Sequence, residues 1–130
     1  MGLKYARVFG DDDGETHFAD VELPTGPAPG AGSVAYLMLP VERMGYAEYP
    51  ADQEEIMVGF HVTEGRQFIM PLRGGFETWV SDGTSRKFTV GDLVFFDDLG
   101  SKGHLTKQLP GEARINLILS MGDDWVSPTA

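Results

Sequence analysis

Residues 67–96, QFIMPLRGGFETWVSDGTSRKFTVGDLVFF, decide the fold class. Short runs of apolar and β-branched residues alternate there with Gly, Pro and Asp, which is typical of strands joined by turns. We predict strands over Gln67–Leu72, Phe76–Ser81 and Asp92–Phe96. Between the last two, Ser81-Asp-Gly-Thr84 predicts a hairpin turn, because Asp-Gly tolerates the positive φ that primed turns require.

The same pattern continues on both sides of this stretch. It predicts further strands over Ser33–Leu39, Glu55–Val62, His104–Gln108 and Arg114–Ser120. No window of a dozen residues shows the 3.6-residue periodicity of an amphipathic helix. Strands spaced in this way indicate an antiparallel sandwich or barrel, so we expect an all-β fold.

The N-terminal quarter is predicted to be less regular. Residues 24–33, PTGPAPGAGS, are too rich in Pro and Gly for a central strand or a helix. The acidic segment before them alternates apolar and polar residues from Phe18 to Leu23, which is compatible with an edge strand. In the C-terminal tail, Trp125 is expected to dock on the domain. We divide the chain into an acidic strap with a Pro/Gly linker (1–32), a β-barrel (33–122) and a tail (123–130).

Length and charge exclude several classes of protein. At 130 residues the chain suits one domain and is too short for two. Its formal net charge of -10, with no basic run, disfavours nucleic acid and anionic membrane surfaces as partners. It has no apolar window of about 18 residues to span a bilayer and no signal peptide. The absence of Cys removes disulfides and thiolate chemistry and fits a reducing cytosol, so we expect a soluble cytoplasmic protein.

Few residues are left to carry chemistry. There is no phosphate-binding Gly-rich loop, no Gly-x-Ser-x-Gly elbow and no His-Glu-x-x-His motif. Because residues two apart in a strand share a face, His61 is grouped with Thr63, and His104 with Thr106 and Gln108. A single His in a strand is more often a hydrogen-bonded core residue. Two such strands favour a polar pocket inside an apolar barrel.

The stretch that contains these residues resembles the small single-domain bacterial cupins. The first cupin motif has the form His-x-His, three or four residues, Glu, six residues, Gly. This sequence has His61, Thr63, Gln67 and Gly74 at the corresponding positions. The resemblance covers roughly residues 55–120 and implies a double-stranded β-helix, an antiparallel β-barrel or jelly roll.

The second cupin motif is also present in altered form. In the family it opens with Gly, often Gly-Asp, and ends in a His that is followed four residues later by Asn. Here Gly91-Asp92 opens the motif, His104 follows after a short insertion, and Gln108 stands in place of the Asn.

The resemblance implies a divalent metal, which cupin enzymes usually hold on three His and one Glu. Carried over to this chain, the metal ligands are His61, Gln67 and His104, with Thr63 in place of the second His. A neutral hydroxyl binds metals weakly and an amide adds no charge, so we expect reduced affinity and a preference for an anionic ligand. Zn, Mn, Fe and Ni are all compatible. The alternative is that the metal is lost and His61 or His104 acts as an acid, a base or a hydrogen-bonding group.

Other side chains are candidates by position. Arg66 and Lys102 lie next to the motifs and meet either an anionic ligand at the mouth of the pocket or only solvent. Glu77 and Trp79 share one face of a predicted strand. Glu77 is a candidate catalytic base if that face lines the pocket, and a surface residue if the register places it outward.

These observations leave two functional hypotheses. The first is a metal-dependent isomerase, cyclase, lyase or oxygenase with catalytic His61, His104 and Glu77. The second is a metal-free protein that binds a small anionic ligand without catalysis. In both, the ligand-binding residues are Thr63, Arg66, Trp79, Thr106 and Gln108. The resemblance also implies a homodimer, to which an exposed apolar sheet face would contribute.

Overall fold

The structure, a computed structural model, describes residues 2–54 and 59–129. Over these residues the chain is all-β, which confirms the predicted class, and no helix is long and apolar enough to cross a membrane. The strands are β1 (Gly2–Gly10), β2 (Thr16–Pro24), β3 (Gly26–Ala28), β4 (Ala31–Tyr36), β5 (Val41–Tyr49), β6 (Gln67–Arg73), β7 (Gly75–Val80), β8 (Ser85–Thr89), β9 (Val94–Asp97), β10 (His104–Gln108) and β11 (Arg114–Met121).

Three sheets contain these strands. The largest has six strands in the order β2-β1-β9-β6-β11-β5, a second has the order β10-β7-β8, and β3 and β4 form a separate hairpin. All strand pairs are antiparallel except β1 and β9, which run parallel, a departure from the antiparallel arrangement expected from the sequence. The described strands do not close into a barrel and are consistent with a sandwich of the two larger sheets.

One apolar core lies between the two larger sheets. Alternate residues of β9, Val94 and Phe96, point from the six-stranded sheet toward Phe76 and Phe88 of the three-stranded sheet. Val94 is fully buried and Phe76 is 1% exposed. Because side chains alternate along a strand, the residues between them must form a different core.

That second core lies on the opposite face of the six-stranded sheet. Phe68 of β6 and Phe95 of β9 are packed there, with ring centroids 4.5 Å apart. Trp125 covers both rings, which confirms that it docks on the domain. The tail is further attached through Ser127, whose hydroxyl lies 2.7 Å from the hydroxyl of Tyr5.

The N-terminal residues contribute to the main sheet. Residues 1–32, predicted as a strap with a linker, contain β1, which lies between β2 and β9, and β2, which forms a sheet edge. The expectation of an edge strand near Phe18 to Leu23 is therefore confirmed. Tyr5 and Val8 of β1 are buried, and Val8 is fully buried. The Pro/Gly stretch forms part of the exposed β3–β4 hairpin, consistent with its exclusion from central strands.

The predicted strand boundaries agree with the structure for most of the second half of the chain. His104–Gln108 is reproduced as β10, β6 and β11 differ from their predictions by one residue at one end, and β7 is shifted by one residue at both ends. The predicted strand Glu55–Val62 lies partly outside the described residues, and its remainder contains only a bridge between His61 and His104. Strands β1, β3, β5 and β8 were not among the predicted strands.

The hairpin predicted at Ser81–Thr84 joins β7 to β8, but its turn is not primed. The amide of Gly83 donates to the carbonyl of Val80, and the amide of Val80 donates to the carbonyl of Thr84. Gly83 has a φ of 93°, whereas Asp82 does not have a positive φ. The loop is therefore a type I turn followed by a left-handed Gly, the usual three-residue connection.

Candidate functional site

A cavity of about 300 Å³ lies between the sheets, beside the first core. Its walls come from β5, β6, β9 and β11 of the six-stranded sheet, from β7 and β10 of the other sheet, and from residues 53–54 and 61–64. Apolar side chains from Ile69, Phe76, Phe96 and Ile118 form much of the lining. The size and mixed polarity suit a small organic molecule.

Five of the residues predicted from the sequence line this cavity. They are His61, Thr63, Gln67, Thr106 and Gln108. Their grouping follows from strand geometry, since alternate residues of β10 face the cavity while Lys107 faces outward. The sequence pattern of two polar strand faces thus located the right region of the fold.

Three predicted residues lie elsewhere. Glu77 and Trp79 are on the outer face of β7, because Phe76, Thr78 and Val80 occupy its buried positions. A carboxylate oxygen of Glu77 accepts a hydrogen bond from Ser85.

The third of these residues, Arg66, is held by an ion pair away from the cavity. Its Nε lies 2.8 Å from Oδ1 of Asp97, and the guanidinium of Arg7 binds Oδ2 of the same carboxylate at 2.7 Å. Lys102, the other cation beside the motifs, pairs with Glu15 at 2.7 Å. Both cations of the motif loops therefore have carboxylate partners within the chain.

His104 is buried behind the cavity wall and is paired with a carboxylate. Its Nδ1 lies 2.5 Å from Oδ2 of Asp98, and the side-chain exposures are 7% and 0%. The other oxygen of Asp98 accepts the backbone N–H of Thr63 at 3.2 Å. The ring also lies against Phe96, with centroids 4.5 Å apart. His104 is thus oriented by a charge-assisted hydrogen bond on one nitrogen.

His61 is held next to His104 by both backbone and ring contacts. The two residues exchange both backbone hydrogen bonds, at 2.9 and 2.8 Å, and their ring centroids are 4.6 Å apart. Nδ1 of His61 lies 3.2 Å from the carbonyl of Gly59. The hydroxyl of Thr63 donates to the carbonyl of Gly65 at 2.6 Å, so its proton is not free to bind a ligand in the cavity.

Three polar side chains of the cavity wall carry buried atoms without a hydrogen-bond partner. These atoms are Oε1 of Gln108, Nε of Arg114 and Oδ1 of Asn116. Asn116 is 3% exposed. An unpaired buried polar group costs about 1–3 kcal/mol, so three at one cavity indicate that something outside the protein completes them.

Sequence reasoning missed Arg114 and Asn116. The signal was present, because a charged and a polar residue at alternate positions of an otherwise apolar strand share one face. Asp98 was also missed, because two consecutive Asp residues after a strand are typical of a turn.

Arg114 lies between aromatic rings in the cavity wall. Its guanidinium carbon is 4.0 Å from the centroid of the Tyr49 ring and 5.5 Å from that of Phe76. Burial lowers the pKa of the guanidinium from its usual value. Among residues 2–54 and 59–129, no carboxylate forms an ion pair with it. Within these residues the cation contacts two aromatic rings and has no anionic partner.

The residues present do not fit a resident metal ion well. In the described part of the chain, no group of three His, Asp or Glu side chains is placed to hold one. Of the expected ligands, His61 and Gln67 line the cavity, whereas Nδ1 of His104 is bound to Asp98. Two imidazoles and an amide would also leave a divalent cation without a charged ligand.

Comparison with known proteins identifies no relative. The chain matches no family model, and no curated protein matches it.

Proposed function

We propose that this protein has a cupin-type fold and binds a small anionic organic ligand in the cavity through its own side chains, without a metal. The observation that carries the proposal is that three residues lining one cavity, Gln108, Arg114 and Asn116, each hold a buried polar atom without a partner in the described chain. The arrangement combines one cation with hydrogen-bond acceptors, which suits a polar anion better than a neutral apolar molecule.

The rest of the cavity supports the same proposal. Phe76, Phe96, Ile69 and Ile118 would contact the carbon skeleton of a ligand, and contacts of this kind supply most of the binding free energy in small-molecule sites. The volume of about 300 Å³ restricts the ligand to a small molecule. Glu54 and Glu64 also line the cavity, at exposed positions, and the partly buried Arg114 supplies the positive charge that favours an anion.

The metalloenzyme hypothesis, with a divalent ion on His61, Gln67 and His104, stays a prediction. It is supported by the presence of His61 and Gln67 on the same cavity wall. Elemental analysis of untagged protein separates the hypotheses. The metal-free proposal expects no stoichiometric transition metal and no rise in Tm on addition of Mn, Fe, Ni or Zn, since a ligand of the native state must raise stability.

Ligand retention tests the proposal directly. Untagged protein is purified, denatured and extracted, and the released small molecules are identified by mass spectrometry. We expect an organic anion that wild-type protein and Arg73→Gln retain, and that Arg114→Gln and Asn116→Leu lose. Arg73 is a matched control, because its side chain is 56% exposed and pairs with Glu112 at the surface. Equal retention by all four proteins would place the site elsewhere.

A further inference from the structure

The orientation of Gln108 restricts the chemistry of the ligand. Its Nε2 donates to two backbone carbonyls, those of Pro50 at 2.8 Å and Glu112 at 3.3 Å. The amide therefore cannot turn over without losing both bonds, so Oε1 remains an acceptor. This oxygen is buried and has no partner in the described protein. Only a group that donates a proton can satisfy it.

Asn116 adds a second acceptor on the same wall. It is two residues from Arg114 along β11, so both side chains lie on one face, with attachment points about 7 Å apart. Oδ1 of Asn116 is unpaired, as is Nε of Arg114. The wall thus contains a cationic donor and neutral acceptors. A ligand with only a carboxylate would pair with the guanidinium and leave the acceptors without a hydrogen bond.

Gln108 lies close enough to act with Arg114. It pairs with Phe76 in the register of β10 and β7, and the guanidinium carbon of Arg114 is 5.5 Å from the centroid of the Phe76 ring. The guanidinium carbon also lies 4.0 Å from the centroid of the Tyr49 ring, and a guanidinium beside aromatic rings can still bind a carboxylate through its N–H groups. A cation and two acceptors therefore surround the same part of the cavity.

We infer that the ligand is a small carboxylic acid that also carries a hydroxyl or amino group. Its carboxylate binds the guanidinium of Arg114, and its hydroxyl or amino group donates to Asn116 or Gln108. The inference rests on the proposed function and adds the donor group and the orientation of the ligand. Simple carboxylates and neutral alcohols are expected to bind more weakly than such a ligand. A simple carboxylate leaves the acceptors unpaired, and a neutral alcohol leaves the guanidinium without an anion.

Matched compound series test the inference. One series is mandelate, phenylglycine, phenylacetate and mandelamide, and the other is 2-hydroxyisovalerate, valine, isovalerate and 2-hydroxyisovaleramide. Binding is followed by NMR through the backbone amides of β11 in ¹⁵N-labelled protein. We expect the hydroxy or the amino acid of a series to bind at least tenfold more tightly than both the simple acid and the amide. Comparison of the hydroxy acid with the amino acid of each series shows which donor group the site prefers.

Variants connect these preferences to individual residues. Asn116→Leu removes one of the two acceptors and is expected to weaken the preference for the donor group, and Arg114→Gln is expected to abolish the preference for the acid over the amide. Arg73→Gln should preserve both. Simple acids that bind as tightly as the hydroxy and amino acids would overturn the inference and leave the proposed function standing. If no acid of either kind shifts the β11 amides, both are overturned.

Discussion

Nδ1 of His104 lies 2.5 Å from Oδ2 of Asp98, and this buried pair fixes one wall of the cavity. Asp98 also accepts the backbone N–H of Thr63, so a single carboxylate connects β10 to the loop that precedes β6. Thr63 and His61 of that loop line the cavity. The pair therefore positions residues of the cavity wall. It lies next to both motifs identified in the sequence.

Removal of the Asp98 carboxylate is expected to destabilise the protein strongly. Asp98→Ala leaves the imidazole of His104 and the amide of Thr63 unpaired in the interior, which should lower the free energy of unfolding by about 3–5 kcal/mol. Asp98→Asn keeps one acceptor and should cost about 1.5–3 kcal/mol. Urea unfolding measures both values.

The matched control for these variants is Asp12→Asn. Asp12 lies in the exposed turn between β1 and β2, so its loss of charge should change stability by less than about 0.5 kcal/mol. A result within that range for both Asp98 variants would contradict a structural role for the His104 pair.

Much of the fold could be predicted because β-strand periodicity is local. The boundaries of β10 and β6 follow from short apolar runs between turn residues. Strand β1 was missed because its place beside β9 depends on a parallel pairing of residues distant in the chain. Strand β5 was missed because most of its side chains are exposed, so it lacks the apolar alternation that marks a strand.

The candidate site was only partly predictable for a similar reason. His61 and Gln108 were found because each belongs to a local motif. Whether Glu77 faced the cavity depended on the register of β7, which sequence alone does not fix. Asp98 was assigned to a turn because its burial arises from the chain folding back over it, and composition carries no trace of that. The homodimer stays a prediction.

Gly103 is expected to be intolerant of substitution, because it forms part of the contact with His61. It has a φ of 81°, and a Cβ built on it would lie 2.4 Å from the carbonyl oxygen of His61. Gly83→Ala is the matched control, since Gly83 has a φ of 93° and open space around it. Both variants should lose about 1–2 kcal/mol from the left-handed backbone. Gly103→Ala should lose a further 1–3 kcal/mol, roughly, from the clash.

Thermal or urea unfolding of the two Ala variants checks this difference. Backbone amide NMR of the Gly103 variant should also show loss of the hydrogen bonds between His61 and His104. Equal destabilisation of the two variants would mean that Gly103 is required only for its backbone conformation.

Asn116→Leu is expected to stabilise the ligand-free protein. The substitution removes a buried acceptor that has no partner, and it should raise the free energy of unfolding by about 1 kcal/mol. Thr78→Val is the contrasting variant, because Thr78 is fully buried and its hydroxyl lies 3.0 Å from that of Thr106. It should lower stability by about 1 kcal/mol. Destabilisation by Asn116→Leu in ligand-free protein would indicate that Asn116 is satisfied without a ligand.

His17 is expected to make the stability of the β1–β2 turn depend on pH. Its ring nitrogens lie 2.7 Å from Asp11 and 2.9 Å from Asp82, and hydrogen bonds to these carboxylates raise the pKa of His17 above its usual 6.5. Because the pKa is raised in the folded state, the charged His17 stabilises the folded protein fully below pH 6.5. This stabilisation is lost as the pH rises through the pKa of His17 in the folded state. The hydrogen bond to His17 lowers the pKa of Asp11 below 3.8, and hydrogen bonds from Thr84 together with that from His17 lower the pKa of Asp82, so the contribution also falls in strong acid.

The Tm difference between wild-type protein and His17→Asn measures this contribution. It should be positive at pH 5.5 and fall toward zero by pH 9, while remaining small because the groups are exposed. Lys102→Gln is the control, because its pair with Glu15 raises the pKa of Lys102 above 10.5, so the ammonium stays charged over this range. Its Tm difference should be constant from pH 5.5 to 9. A His17 difference that is equally constant would show that the ion pairs of His17 do not contribute to folding.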